Sequence, residues 1–171
     1  MLHRLALLAL LLSACSAPEP AGFDLDDPDA ESKADTAPCA AYPGGPLSGS
    51  DLLVLVNKEH GQQLAATWAP DDLVAIPTEL MMPGREGSLR KDVRDAFLDL
   101  VETARAEQGL DLVARSAYRS FETQCRTFDY KVRTHGLAHA LRFSAEPGRS
   151  QHQLGTTVDI TSAVQDYQLV Q

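Results

Sequence analysis

The chain has 171 residues, of which 24 are acidic and 15 are Lys or Arg, so its formal net charge at pH 7 is -9. This length suits one domain, and a content of 44% hydrophobic and 23% charged residues is ordinary for a soluble globular protein. The acidity argues against a general nucleic-acid binder, which needs a basic surface to displace counterions from phosphates.

Residues 1–14 have the pattern of an export signal. His3 and Arg4 precede the apolar run 5–12, which at about eight residues is too short to cross ~30 Å of hydrocarbon. The Leu-Ser-Ala-Cys that ends at Cys15 resembles a bacterial lipobox. It implies cleavage before Cys15, a lipid anchor on its sulfur, and a place in the cell envelope, most simply on an outer membrane facing the periplasm. An ordinary signal peptide with an incidental cysteine is the alternative.

Residues 15–38 are predicted to form an acidic, disordered tether. Residues 16–38 hold seven acidic residues, one lysine and four prolines, with two large apolar residues, Phe23 and Leu25. Such a segment cannot bury enough apolar surface to offset its ordering entropy. The folded domain is therefore expected to span residues 39–171.

The pattern of the domain predicts short strands and helices in no regular alternation. We expect extended segments over 51–56, 110–114 and 156–160, loop over the proline-punctuated stretch 70–83, and helices over 88–108, 121–135 and 137–143. Ser88 and Ser120 are the expected helix caps, and Gly109 and Gly136 the expected helix ends. Because no βαβ rhythm emerges, the fold class is α+β, with a small antiparallel sheet flanked by helices.

Two cysteines remain once Cys15 is assigned to the lipid anchor. Cys39 and Cys125 would lie in an exported, oxidising compartment. A disulfide between them is predicted, and in the chain-entropy model a loop of that size contributes ~4 kcal/mol.

The densest cluster of reactive residue types runs from Ser150 to Asp159. It contains His152, at the end of a Pro-Gly loop, and Asp159, inside an apolar strand where an unpaired carboxylate is costly. Imidazole and carboxylate are the ligands that hold zinc in many hydrolases. A shared zinc ion would partner both side chains, although on spacing alone a His and an Asp seven residues apart are more often structural.

The full pattern carries more information than this pair. Ser-x-His-x-x-Gly-x-x-x-Asp after Glu-Pro-Gly, over residues 146–159, resembles the zinc motif of VanY-type D-alanyl-D-alanine carboxypeptidases. The upstream block Ser-Ala-Tyr-Arg-Ser-Phe-Glu-Thr-Gln, over residues 116–124, resembles the family's second block, and Val-Asn-Lys at 56–58 fits its opening. The resemblance covers about residues 51 to 163 and implies the Hedgehog/DD-peptidase-like fold.

The resemblance also implies roles. His152 and Asp159 would be zinc ligands, Arg119 would bind the substrate's terminal carboxylate or the developing oxyanion, and Ser150 and Gln124 would be polar substrate contacts. The implied substrate is the D-Ala-D-Ala end of peptidoglycan stem peptides, hydrolysed with the help of Zn²⁺.

One departure from the family pattern limits this prediction. The family takes its third ligand and its general base from a Glu-x-x-His block downstream of the aspartate, whereas no Glu or His follows Asp159 before Gln171. We therefore expect either a C-terminally incomplete sequence or an inactive copy. The rival hypothesis is a non-catalytic envelope lipoprotein that keeps the scaffold to bind wall peptides. Cleavage of L,D bonds or of internal bonds on the same fold is a further alternative.

Overall fold

The computed structural model describes residues 38–58 and 63–162, in which short antiparallel strands and three helices alternate irregularly along the chain. The helices are α1 (Lys91–Gln108), α2 (Phe121–His135) and α3 (Leu137–Phe143). Strands β1 (Leu73–Ala75) and β2 (Ser88–Arg90) pair with each other, as do β3 (Leu112–Ser116) and β4 (Asp159–Ser162). The α+β class is confirmed, with the sheet divided into two small ladders.

Helix α1 covers the larger of two apolar clusters. Its Phe97 and Val101 are buried one turn apart, as expected for an amphipathic helix. They pack against side chains from β2, β3 and the connecting loops, namely Ile76, Met81, Leu89, Ala114 and Ala117. The helix ends at Gly109, whose φ of 65° is the left-handed conformation that glycine adopts readily.

Ser88 does not cap α1, contrary to the sequence-based prediction. It lies in β2 opposite Ala75, and α1 begins only at Lys91. Three residues of the helical-looking pattern are therefore a strand, because β1 offers them a hydrogen-bonding edge. Within the loop predicted over 70–83, β1 and a 3₁₀ turn at Thr78–Leu80 were also not anticipated.

Residues 51–56 were predicted to form a short strand or a buried extended segment, and in the structure they do not form a continuous strand, with Val56 alone in an isolated β-bridge. Asp51 Oδ1 accepts a hydrogen bond from the Leu53 backbone N–H at 2.8 Å, which bends the chain into a turn. Leu53 is then 91% exposed, while Val56 is buried against Leu64 and Leu154 in the second apolar cluster. An apolar run thus marks the chain's return to the core rather than a strand.

Helix α2 confirms the prediction made from its cap and its apolar spacing. Ser120 Oγ accepts a hydrogen bond from the Thr123 N–H at 3.1 Å, the usual N-cap arrangement. The buried face carries Phe121, Cys125 and Phe128. Helix α3 packs against α2 and also has the predicted bounds.

The predicted export signal and most of the acidic tether lie outside the described residues. Within the part of the chain that the structure describes, no helix combines the length and the apolarity needed to cross a membrane.

Candidate active site

His152 and Asp159 come together at the centre of the candidate site. His152 lies in the 3₁₀ turn Gln151–Leu154, and Asp159 is the first residue of β4. Nε2 of His152 is 3.5 Å from Oδ2 of Asp159. Two ligands that each sit ~2.1 Å from a tetrahedral zinc ion are about 3.4 Å apart. The separation of the two atoms therefore fits a shared metal ion.

A backbone contact selects the tautomer of His152. Its Nδ1 lies 2.6 Å from the carbonyl oxygen of Ala117, and because a carbonyl can only accept, Nδ1 carries the proton. Nε2 is left with its lone pair toward Asp159, which is the arrangement of a metal-ligating histidine. Burial and the charge of Arg119 lower the pKa of His152, despite opposing effects of the Ala117 carbonyl and Asp159. The imidazole is thus held neutral near pH 7.

Ser116 orients Asp159, a function that was not predicted from the sequence. Its hydroxyl donates to Asp159 Oδ2 at 2.8 Å. The pairing of β3 with β4 shifts between Ala114 and Ser116, so that Ser116 lies opposite Asp159. The signal available in the sequence was the position of Ser116, two residues after a predicted extended segment and three residues before Arg119.

Arg119 extends the same hydrogen-bonded group. Its Nη1 donates to Gln124 Oε1 at 3.1 Å, and its Nη2 lies 3.5 Å from Ser116 Oγ. The backbone N–H of Arg119 donates to the carbonyl of His152 at 3.1 Å, which ties the two predicted blocks together. Burial lowers the pKa of Arg119 and the charge of Asp159 opposes that shift. A guanidinium nevertheless stays protonated throughout the working pH range.

Gln124 and Ser150 also lie at the site. Gln124 is 1% exposed, and its Nε2 donates to the carbonyl of Ala145 at 2.6 Å and to Ser144 Oγ at 3.3 Å. With Oε1 occupied by Arg119, this amide holds the guanidinium in place and has little surface left for a peptide. Ser150 is buried and lines the cleft. The predicted substrate contacts of both residues stay predictions.

An open cleft of about 670 Å³ leads to this group, a volume that suits a small ligand or a short peptide. Five of the six residues just described line it, all but Ser116, together with the cations Lys58, Arg115, Lys131 and Arg149. Sequence reasoning did not single out Lys131. The signal was a polar stripe on α2, where Gln124, Thr127 and Lys131 follow one another at helical spacing and all line the cleft.

Within residues 38–58 and 63–162, no third His, Cys, Asp or Glu joins His152 and Asp159 to complete a metal site. Catalytic zinc sites usually have three protein ligands. The described residues therefore fit two of the three. Asp159 is also the sole carboxylate among the described residues that line the cleft, so the expected glutamate base is not found there.

The loop before His152 is fixed by close backbone contacts. Leu64 N–H donates to the carbonyl of Gly148 at 2.8 Å, and Gln63 Nε2 donates to that of Pro147 at 2.6 Å. Gly148 has a φ of 80°, and a Cβ there would lie 2.6 Å from Gln63 Cγ and 2.8 Å from the Leu64 carbonyl oxygen. Both the backbone angle and the packing require glycine at this position.

Replacement of Gly148 by Ala is expected to destabilise the protein by about 2–4 kcal/mol, since a left-handed Ala costs ~1–2 kcal/mol and the contact with Leu64 adds a similar overpacking cost. Gly84 has a φ of 77° but open space around it, so Gly84→Ala is the matched control for the backbone angle alone. Urea unfolding of both variants measures the difference. Equal losses in the two variants would contradict the close packing of Gly148.

Cys39 and Cys125 are neighbouring free thiols in the structure. Burial and a hydrogen bond with Cys39 raise the pKa of the Cys125 thiol. The two thiols interact with each other in the structure, and the disulfide itself stays a prediction.

The comparisons with known proteins identify the family of this chain. The model of the VanY family, D-alanyl-D-alanine carboxypeptidase, matches residues 86–171. The chain belongs to the VanY family. That match includes every candidate ligand and substrate contact described above.

Two curated relatives and a solved structure extend the match. The chain is 34% identical over 121 residues to the carboxypeptidase-like protein YodJ of Bacillus subtilis (strain 168), covering 70% of this chain and 43% of YodJ. It is 32% identical over 110 residues to VanXYC of Enterococcus gallinarum, a bifunctional D-Ala-D-Ala dipeptidase and carboxypeptidase, covering 64% of this chain and 54% of VanXYC. The chain thus spans about half the length of these curated relatives.

One of the solved structures that this chain resembles is that of LdcB, an LD-carboxypeptidase whose structure reveals the molecular basis of peptidoglycan recognition. The TM-score is 0.63 at 34% identity, and the match covers 72% of this chain and 57% of the LdcB chain. The expected Hedgehog/DD-peptidase-like fold of the VanY family is confirmed by this likeness.

Proposed function

We propose that this VanY-family protein is a zinc-dependent carboxypeptidase that removes the terminal D-alanine from peptidoglycan stem peptides ending in D-Ala-D-Ala. The observation that carries the proposal is the 3.5 Å separation of His152 Nε2 and Asp159 Oδ2 beside a buried arginine. Zinc held by this pair and a third ligand would polarise the scissile carbonyl and acidify a water molecule.

The protein's own side chains would bind and orient the peptide. Arg119, supported by Gln124, presents a forked, permanently charged donor that suits either the free carboxylate of the last residue or the oxyanion of the transition state. A requirement for that carboxylate would make the enzyme an exopeptidase. Ser116 and the Ala117 carbonyl would keep Asp159 and His152 in position through their outer contacts.

A second candidate is L,D-carboxypeptidase activity, which removes the D-alanine that follows an L-centre in a tetrapeptide stem. The likeness to the LD-carboxypeptidase LdcB favours it. The rival hypothesis is a non-catalytic peptide-binding protein. Its support is that the described residues supply neither a third metal ligand nor the general base that the proposed reaction needs.

Release of D-alanine from stem pentapeptide and tetrapeptide by the zinc-loaded full-length protein tests these candidates. We expect release from the pentapeptide that disappears on treatment with a zinc chelator and returns with zinc. Release from the tetrapeptide alone would support the L,D candidate. Binding of both peptides without release from either would support the non-catalytic protein.

We also propose the domain organisation suggested by the N-terminal sequence, with a signal peptide over 1–14, a lipid anchor on Cys15 and a tether over 15–38. Such a tether would place the domain within reach of the cell wall. We expect the native protein to partition into detergent and to carry the mass of a diacylated or triacylated Cys15. Cys15→Ser should move it to the aqueous phase, and a detergent-phase C15S protein would contradict the anchor.

A further inference from the structure

The cleft carries more positive charge than one terminal carboxylate requires. Its lining includes five Lys or Arg residues among the described part of the chain, against Asp159 as the one acidic residue. This contrasts with the formal charge of -9 for the whole protein. Arg119 belongs to the group around Asp159, and Arg149 lies 3.8 Å from Glu146. Among the described residues, the acceptors of Lys58 and Lys131 are, in contrast, carbonyl oxygens and not carboxylates.

Lys58 and Lys131, the lysine pair, converge on the last carbonyl groups of α3. Nζ of Lys58 donates to the carbonyls of Arg142 at 2.6 Å and Leu141 at 3.5 Å. Nζ of Lys131 donates to the carbonyl of Phe143 at 3.2 Å. These carbonyls hold both ammonium groups in fixed positions at the end of the helix. Since each ammonium has three donors, both retain hydrogen-bonding capacity toward the cleft that they line.

The charges of the lysine pair are not balanced by a carboxylate within the described residues. Burial and the positive charges of Arg119 and Lys58 lower the pKa of Lys131. The acceptors of both ammonium groups are carbonyl oxygens, which carry no net charge. Lys58, Lys131 and Arg119 are therefore three cations that line the same cleft. Such an arrangement is unfavourable in the free protein and becomes favourable when an anion binds among the cations.

We propose that Lys58 and Lys131 form a second anion subsite, which binds a carboxylate of the peptide upstream of its C-terminal carboxylate. This inference rests on the proposed function, because it takes the free C-terminus to lie near Arg119. Lys131 follows Gln124 by seven residues of α2, or about 10 Å along the helix axis. An extended peptide covers that distance in roughly three residues. The preferred substrate is therefore an acidic peptide with its second carboxylate about two or three residues before the C-terminus.

Calorimetric binding of matched peptides to the full-length protein tests the subsite without requiring catalysis. The probes are acetylated Glu-Ala-D-Ala-D-Ala and Ala-Glu-D-Ala-D-Ala, each compared with its glutamine analogue, which differs by one charge. We expect one of the two acidic peptides to bind about tenfold more tightly than its amide analogue, as is typical of hydrogen bonds between charged groups. Equal binding within both pairs would overturn the proposal.

Variants of the lysine pair locate the effect. Lys58→Gln and Lys131→Gln should each bring the acid-to-amide ratio close to one, while Lys131→Arg keeps most of it. Lys91→Gln removes an exposed lysine paired with Asp95 on α1 and is the control that keeps the full ratio. Thermal unfolding shows whether each variant folds. If Lys131→Gln does not fold, the acid-to-amide ratios of Lys131→Arg and Lys58→Gln test the proposal in its place. An unchanged ratio in folded K58Q and K131Q would also overturn the proposal.

The same peptides separate this inference from the proposed activity. Release of D-alanine from acid and amide peptides with equal KM would reject the subsite and leave the carboxypeptidase intact. A clear acid preference in binding, with no release from any peptide in the presence of zinc, would support the subsite and reject the carboxypeptidase.

Discussion

Asp159→Asn is expected to lower kcat/KM for D-alanine release by roughly a hundredfold or more, since loss of even an outer-shell partner of a metal ligand costs 10–100-fold. Asparagine keeps the shape of the side chain and can still accept the hydrogen bond from Ser116, but it removes the negative charge. Zinc binding should weaken in parallel. Equilibrium dialysis with zinc and a D-alanine release assay measure the two effects.

Asp111→Asn is the matched control for this change. Asp111 is exposed and pairs with Arg105 at 2.7 Å, so its amide variant should keep both zinc and activity. If Asp159→Asn retains both as well, then Asp159 is a structural carboxylate that joins β4 to Ser116, and the metal site lies elsewhere.

Arg119→Lys is expected to lower kcat/KM by about 10²–10³-fold while leaving zinc binding unchanged, a loss typical of removing a preorganised donor to an oxyanion. Lysine keeps the charge but lacks the planar fork. If its ammonium contacts both Gln124 and Ser116, only one of its three N–H donors is left for the peptide, whereas a bidentate contact needs two. Steady-state kinetics and zinc content together distinguish this result from a loss of the metal ligands.

Arg105→Lys serves as the control, because Arg105 is exposed on α1 and its guanidinium pairs with Asp111 and not with a candidate ligand. Full activity of Arg119→Lys would show that a point charge is sufficient at this position. The role of Arg119 would then be reduced to packing beside Gln124.

The sequence predicted the site better than it predicted the strands. Residues of the two motif blocks are far apart in the chain, yet Arg119 and His152 are joined through their backbones and Gln124 reaches Arg119. Helix α2 was predictable from a serine cap and an apolar stripe, which are local signals. The juxtaposition of the blocks came from a resemblance, not from any local pattern.

The predictions that were wrong, or that were not made, depend on partners distant in the chain. Residues 51–56 are apolar but form no continuous strand, and Ser88 is drawn into a ladder by a segment that was predicted to be loop. Ser116 acquires its function from the strand opposite. Lys131 acquires its surroundings from the end of α3. Side-chain surroundings of this kind depend on tertiary packing, which the spacing of residues does not show.

The irregular pairing of β3 with β4 makes the length of β3 a determinant of the geometry of the proposed metal site. Ala114 pairs with Ile160 and Ser116 with Asp159, so Arg115 is the extra residue, as in a β-bulge. Deleting Arg115 would preserve every side chain of the hydrogen-bonded group and still move the hydroxyl relative to the carboxylate. In this chain, one insertion or deletion in β3 would therefore shift Ser116 relative to the carboxylate of Asp159 without substituting either residue.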